Sequence, residues 1–142
     1  MKSLPDGLFS SGKLRFLDLH GNQLTDVPTA FQNAFTLIKL NLNANAIRTL
    51  HAASFIGLSG LLELKISMLD QLEQIEGNTF TPLRKLKKLD CSANPQLRSI
   101  HPNAFNNVTN LKEVFHVIQC CFRNNGAVVL NALTLLGAVR VQ

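Results

Sequence analysis

Apolar residues recur along this chain with a period of about 24 residues. Segments that begin at Leu14, Leu37, Leu61, Leu86 and Leu111 align with one another at intervals of 23, 24, 25 and 25 residues. The first four segments carry apolar side chains at positions 1, 4 and 6, and alternation over so short a run predicts a strand. Repeats of this length predict a solenoid, in which each unit buries its apolar face against the next one.

The second half of each unit carries another apolar column and then a phenylalanine. We predict that both columns point into the core, where a buried Leu or Ile contributes roughly 1.5–3 kcal/mol and an aromatic ring buries still more area. Cys91 replaces leucine at an inward position, and we predict that its thiol is buried as a small apolar group. The phenylalanines of the column are Phe9, Phe31, Phe55, Phe80 and Phe105.

Asparagine occupies the ninth position in three units, where the chain turns away from the predicted strand. An amide side chain can donate and accept at once, so Asn22, Asn45 and Asn94 are predicted to form a structural ladder that satisfies backbone groups between units. The third unit has Leu69 at this position, which cannot make such bonds. We therefore expect a remodelled turn there, with Asp70 as an acceptor and with weaker local order.

Together these positions resemble the extracellular, typical leucine-rich-repeat family, whose unit reads LxxLxLxxNxLxxLPxxxFxxLxx. The resemblance covers Leu4 to about Val114. It implies a curved α/β leucine-rich-repeat solenoid, with short parallel strands on its concave face and with loops and short helical turns on its convex side. Residues 1–114 are then leucine-rich repeats, with a partial first unit, full units starting near residues 14, 37, 61 and 86, and an incomplete unit from residue 111.

Residues 115–142 depart from the repeat and form an apolar tail, which we interpret as a cap or as a non-native end. Its uncharged run of 14 residues ends before Arg140, whereas a membrane span needs about 20, so no span is expected within this chain. His116, Cys120 and Cys121 are the one cysteine and histidine neighbourhood in the sequence. An enzyme with a nucleophilic pair at this place is therefore the third and least favoured hypothesis.

The composition limits the class of protein and the kinds of site that the chain can contain. The chain of 142 residues has 14 basic and 9 acidic side chains, a formal charge of +5, and a hydrophobic content of 46% that is ample for a folded core. Three cysteines are too few for a disulfide framework. Paired catalytic carboxylates, glycine-rich phosphate loops and metal-spaced cysteines are absent from the sequence, so no cofactor and no metal are expected.

The run from Arg84 to Lys88 has four basic residues around Leu86. The repeat frame places Leu86 in the core and divides the basic residues between the entering loop and the concave face. They predict a basic rim that would attract an acidic protein or a sulfated glycan. No stacking aromatic residue flanks the run, so nucleic acid is not expected as a partner.

Strand alternation points positions 2, 3, 5, 7 and 8 of each unit outward from the concave face. The result is a polar surface of mixed sign with apolar anchors, a composition that suits a protein or peptide ligand better than a small molecule. The predicted ligand-binding residues are Arg15, Phe16, Asp18, His20, Ile38, Lys39, Asn41, Asn43, Leu62, Glu63, Lys65, Lys87, Lys88 and Asp90.

The resemblance implies recognition, with no enzymatic role. It points to a segment of a secreted or cell-surface leucine-rich-repeat protein of receptor, adhesion or innate-immune type, with a protein or peptide ligand on the concave face. Asn107-Val108-Thr109 is an N-glycosylation sequon, which fits an extracellular location. The first residues contain no apolar signal-peptide region, so we expect the chain to be part of a longer protein. The alternative is an intracellular scaffold built from the same repeats.

Overall fold

The chain winds into successive turns that each add one strand to a long parallel sheet. The computed structural model describes residues 1–5, 7–115 and 140–141. All neighbouring strands are parallel, and the fourth-position residues stand opposite one another, as Leu17 does to Leu40 and Leu64 does to Leu89. The predicted leucine-rich-repeat solenoid is thereby confirmed. In spatial order the long sheet consists of β1 (Phe16–Asp18), β2 (Lys39–Asn41), β4 (Glu63–Lys65), β6 (Lys88–Asp90), β8 (Glu113–Phe115) and β9 (Arg140–Val141).

A second, short sheet lies on the other side of the core, where the sequence predicted loops and helical turns. It forms because the apolar residue of each convex segment points inward and leaves the neighbouring backbone groups free to pair between units. The first unit has Val27-Pro28 at this level, and Pro28, which lacks an N–H, is followed by a 3₁₀ helix at Thr29–Asn33. The short sheet contains β3 (Thr49–Leu50), β5 (Gln74–Ile75) and β7 (Ser99–Ile100) in that order.

The core between the sheets is a set of stacked columns. The leucine and isoleucine columns of the middle units are fully buried. Along the phenylalanine column, the ring centroids of Phe55 and Phe80 lie 5.9 Å apart and those of Phe80 and Phe105 lie 4.8 Å apart, both pairs stacked. Phe9 contacts Phe31 edge-on at 5.8 Å. Stacked rings of this kind contribute about 0.5–1.5 kcal/mol beyond the area that they bury.

Asn45 links its own turn to the preceding one through its buried amide. Its Nδ2 donates to the carbonyl of Leu42 at 2.9 Å and to that of Leu19, one unit earlier, at 3.0 Å. Its Oδ1 accepts the backbone N–H of Leu24 at 3.1 Å. Asn22, by contrast, donates within its own turn, to Leu19 at 2.9 Å. Each interior asparagine therefore serves the backbone of the unit before it.

Asn94 links the fourth unit to the third in the same way. Asn94 donates to the carbonyls of Ile66 and Cys91, both at 2.9 Å, and its Oδ1 accepts the N–H of Leu69 at 2.8 Å. Leu69 is fully buried and packs in the core. Asp70 is exposed and makes no hydrogen bond among the described residues. The expectation that Asp70 acts as an acceptor in this turn is therefore wrong, because the side chain of Asn94, one unit later, accepts the Leu69 N–H.

The missing asparagine has its consequence one unit earlier than the sequence suggested. The N–H of Leu24 bonds to Asn45, but the equivalent N–H of Ile47 has no acceptor among the described residues, since Leu69 stands where an amide oxygen would be. We predict that the Ile47 amide exchanges with solvent deuterium about tenfold faster than the amides of Leu24 and Leu69, because it lacks one buried hydrogen bond. NMR-detected exchange measures this, and equal protection at the three amides would contradict it.

The tail enters the described part of the chain at Phe115, the last residue of β8, and as β9, whose Arg140 and Val141 pair in parallel with Glu113 and Val114 of β8. The interpretation of residues 115–142 as a cap or non-native end otherwise lies outside the described residues, as does the neighbourhood of His116, Cys120 and Cys121. Within the described ranges, no helix has the length and apolar character to cross a bilayer.

Candidate functional site

The third-position residues of β1, β2, β4, β6 and β8 and the fifth-position residues of β1, β2, β4 and β6 point outward. They form one continuous surface, which we call the sheet face. Its most prominent apolar group is Phe16, whose surface is 63% exposed. The Nζ atom of Lys39, in the next strand, lies 5.9 Å from the centre of the Phe16 ring. This distance allows a weak cation–π contact that holds the ring at the surface without covering it.

Opposite charges face one another along the third-position column. Lys39 pairs with Glu63 at 3.3 Å, and Lys88 pairs with Glu113 at 3.8 Å. These residues are directly opposite in register. The lysines are exposed and the glutamates half-buried. Ion pairs at the surface contribute only about 0–1 kcal/mol, so a ligand can replace one partner at small cost.

The fifth-position side chains have a structural task that sequence reasoning missed. Three of them accept the backbone N–H of the residue two positions later and so form the turn that ends each strand. The local signal is an aspartate or asparagine as the last residue of a short strand. The bonds measure 2.9 to 3.0 Å and run from His20 to Asp18, from Asn43 to Asn41 and from Ser92 to Asp90.

Lys65 occupies the fifth position of the third unit, and an ammonium group cannot accept such a bond. The N–H of Ser67 bonds instead to the side chain of Asn43, at 2.7 Å. The exposed Lys65 ammonium is thus left available to a ligand.

The prediction that Asn43 faces a ligand is wrong. Asn43 is only 8% exposed and its side chain bonds to the backbone of the next unit. The strands end at the fifth position, so the alternation that points residues outward does not extend to the seventh. His20 in the first unit is exposed, but its counterpart Ser67 is buried. The eighth-position residues then turn the chain inward in the left-handed conformation, with φ values of 69° at Gly21, 54° at Ala44, 54° at Met68 and 51° at Ala93.

The second-position residues stack along one end of the sheet face. The N–H of Ile38 donates to Arg15 at 2.7 Å, that of Leu62 to Ile38 at 2.8 Å, and that of Lys87 to Leu62 at 2.9 Å. Ile38 and Leu62 are half-buried, whereas Arg15 and Lys87 are exposed. Each predicted second-position residue therefore borders the face.

Two shallow depressions gather the predicted residues into one area. The first, of about 320 Å³, is lined by side chains of β1, β2 and β4 around Phe16 and Lys39. The second, of about 300 Å³, lies between β4 and β6 around Glu63, Lys65 and Asp90. Both are open and shallow, a shape that suits a protein surface better than an enclosed small molecule. Among the described side chains, no three His, Cys, Asp or Glu residues come together in a way that could hold a metal ion.

The repeats match a known family along most of their length. The family model described as leucine rich repeat matches residues 12–68 and again residues 35–95. This chain belongs to the leucine-rich-repeat family. Repeats of this family stack into extended concave surfaces that bind other molecules.

Two relatives within the family place the match in longer proteins. The chain is 32% identical over 113 residues to Tsukushi of Gallus gallus, an alignment that covers 80% of this chain and 28% of that protein. It is 32% identical over 124 residues to leucine-rich repeat-containing G-protein coupled receptor 5 of Rattus norvegicus, covering 85% of this chain and 13% of the receptor. The chain thus spans less than a third of either relative.

Solved leucine-rich-repeat structures show the same fold. The Drosophila Toll–Spätzle complex matches with a TM-score of 0.72 at 26% identity, over 81% of this chain and 15% of the matched chain. The complex of TLR13 with the single-stranded RNA ssRNA13 matches with a TM-score of 0.69 at 35% identity, over 80% of this chain and 16% of the matched chain. Both structures hold their repeats in complex with another molecule.

Proposed function

We propose that this chain is the ligand-recognition segment of a receptor- or adhesion-type leucine-rich-repeat protein, and that it binds a protein or peptide on the sheet face. One observation carries the proposal: outward side chains form an unbroken surface across the strands, with the 63% exposed Phe16 as an aromatic anchor. Aromatic anchors within a polar rim are the usual composition of protein interfaces.

The electrostatics of the face support a protein ligand. The pairs Lys39–Glu63 and Lys88–Glu113 neutralise the third-position column, and Lys65 adds an exposed positive charge beside it. A partner with both signs of charge can exchange with these pairs, whereas the shallow depressions offer little enclosure to a small ligand. The likeness to Toll in complex with Spätzle and to a G-protein coupled receptor favours the receptor type.

The test is a binding screen of the chain against a panel of purified secreted and cell-surface proteins. For the ligand found, Phe16→Ser is expected to weaken binding by about 2 kcal/mol, or about 30-fold, because it removes the most exposed apolar anchor of the sheet face. Gln96→Ser, at an exposed turn outside the sheet face, is the matched control and should bind as the unmodified chain does. A ligand that binds both variants equally would contradict recognition by the sheet face.

Single-stranded nucleic acid is a second candidate ligand, and the likeness to TLR13 in complex with ssRNA13 is the observation that favours it. The sequence led us not to expect nucleic acid, and the comparison reopens that class. Phe16 is the one ring that the described side chains of the face offer for stacking a base. A filter-binding titration with single-stranded RNA decides between the two: binding that resists 150 mM salt and falls in Phe16→Ser favours RNA.

We further propose that the chain lies outside the cell, with a glycan on Asn107. This residue is exposed, at a turn with φ of 62°, on a loop before β8 and away from the sheet face. Secreted from mammalian cells, the chain is expected to carry one N-glycan, seen as a mass loss on enzymatic deglycosylation. Asn107→Gln should abolish that mass loss, whereas Asn106→Gln should retain it. An unglycosylated secreted chain would contradict the proposal and favour the intracellular scaffold.

A further inference from the structure

The excess positive charge of this chain is concentrated beside the amino-terminal ends of the strands of the long sheet. We define the amino-terminal rim as the two residues before, and the one residue after, the first leucine of each unit from Leu14 to Leu111. Six of the 14 basic residues of the chain and none of its 9 acidic residues occupy these positions. The rest of the chain then has eight basic and nine acidic residues, so the rim accounts for all of the excess positive charge. The six basic residues are Lys13, Arg15, Arg84, Lys85, Lys87 and Lys112.

The backbone fixes the order in which the rim residues follow one another. The hydrogen bonds from Ile38 to Arg15, from Leu62 to Ile38 and from Lys87 to Leu62 continue with one of 2.9 Å from Lys112 to Lys87. The second-position residues therefore run basic, apolar, apolar, basic, basic. At about 4.8 Å between neighbouring strands, this line is about 19 Å long, the reach of about six residues of extended chain.

The basic side chains of the rim are available to a partner. Lys85, Lys87 and Lys112 are exposed and form no ion pair among the described residues. Arg15 is exposed as well, and its guanidinium is held in place by a hydrogen bond to the carbonyl of Thr36 at 3.2 Å. With no carboxylate on the rim, a negative group is attracted to it without competition.

The middle of the rim distinguishes a protein from a glycan as the occupant. Phe35 is 61% exposed, and Ile38 and Leu62 present half-buried apolar surface between the two basic ends. A sulfated glycan would gain nothing from this apolar stretch, whereas a peptide with apolar side chains would cover it. The pattern is complementary to acidic residues on both sides of one or two apolar residues.

We propose that the amino-terminal rim binds an extended acidic segment of a protein partner, with its apolar side chains against Ile38 and Leu62 and its carboxylates against Arg15, Lys87 and Lys112. This inference rests on the proposed function, since the acidic segment would belong to the same protein ligand that binds the sheet face.

The probe is a fluorescein-labelled peptide with the core Glu-Glu-Leu-Ile-Glu-Glu, titrated against the full chain and followed by fluorescence anisotropy. The double variant Lys87→Glu, Lys112→Glu is expected to weaken binding at least tenfold, because it replaces two of the four positive charges at one end of the rim with negative ones. The matched control is Lys2→Glu, Arg48→Glu, which makes the same change in net charge at exposed positions off the rim and should shift affinity less than twofold. Equal losses in both double variants would show unspecific attraction and overturn the proposal.

The apolar part of the proposal has its own test. A peptide with serines in place of Leu and Ile is expected to bind about fivefold more weakly, and Ile38→Ser, Leu62→Ser should remove that difference between the peptides. Thermal melts verify that each variant is folded. Equal binding of the two peptides would overturn the proposal, because the apolar stretch would then contribute nothing. Binding of a heparin-derived oligosaccharide where the peptide does not bind would overturn it in favour of a sulfated glycan.

Measurements on the protein ligand from the panel separate this inference from the proposed function. If Phe16→Ser lowers the affinity for that ligand and the Lys87→Glu, Lys112→Glu variant does not, the rim proposal fails while recognition by the sheet face stands. If Phe16→Ser leaves the affinity for the ligand unchanged, the proposed function fails, regardless of how the chain binds the peptide.

Discussion

Gly57→Ala is expected to lower the free energy of unfolding by about 3–4 kcal/mol. A Cβ atom at this residue would lie 2.4 Å from the backbone oxygens of both Phe31 and Gln32, so the loop of one unit packs directly on the 3₁₀ helix of the preceding one. The φ of Gly57 is also 93°, a value that an L-residue adopts only with strain. Chemical denaturation followed by circular dichroism gives the difference in free energy.

Gly21→Ala is the matched control for that experiment. Gly21 has a left-handed φ of 69°, but a Cβ atom there would meet nothing within 4 Å. We expect this variant to lose only about 1 kcal/mol, the strain of the conformation alone. Equal losses at Gly57 and Gly21 would show that the close approach between units is not what demands a glycine.

Asn94→Ala is expected to lower the free energy of unfolding by about 3–5 kcal/mol. The substitution removes all the hydrogen bonds that Asn94 makes to the buried backbone of Ile66, Leu69 and Cys91. Water cannot readily replace these bonds, because Asn94 is only 5% exposed. The loss is measured by the same denaturation method.

The control for the second prediction is Asn22→Ala, the same change at the same position of the first unit. Asn22 is half-buried, and the carbonyl of Leu19 to which it donates also accepts from Asn45 at 3.0 Å. The backbone therefore keeps a partner, and a loss of less than about 1 kcal/mol is expected. A larger loss at Asn22 than at Asn94 would contradict the view that each interior asparagine stabilises the unit before it.

The period of the apolar residues was sufficient to predict the solenoid and the strands of the long sheet. A column such as Leu40, Leu64 and Leu89 has only one way to become buried, which is to stack in register with its neighbours. The short sheet could not be predicted, because its strands are only two residues long, as in Thr49–Leu50 and Gln74–Ile75, and so short a run shows no alternation. Its strands are aligned by the backbone of the turns, which the core fixes.

The candidate site was predicted less completely than the fold. Alternation identifies Phe16 and Lys65 as outward residues, but it fails for Asn43, which lies beyond the end of its strand. The acceptor role of Asp90 was also missed, although an aspartate at the end of a short strand is its local signal.

Covalent footprinting of the complex with the ligand from the panel tests most directly whether this leucine-rich-repeat chain binds a protein through the sheet face. It compares the labelling of exposed side chains with and without ligand. We predict protection of Phe16, Lys39 and Lys65 and unchanged labelling of the exposed Ile56, which lies in a loop of the convex side. Protection of Ile56 with unchanged labelling of Phe16 would contradict the claim.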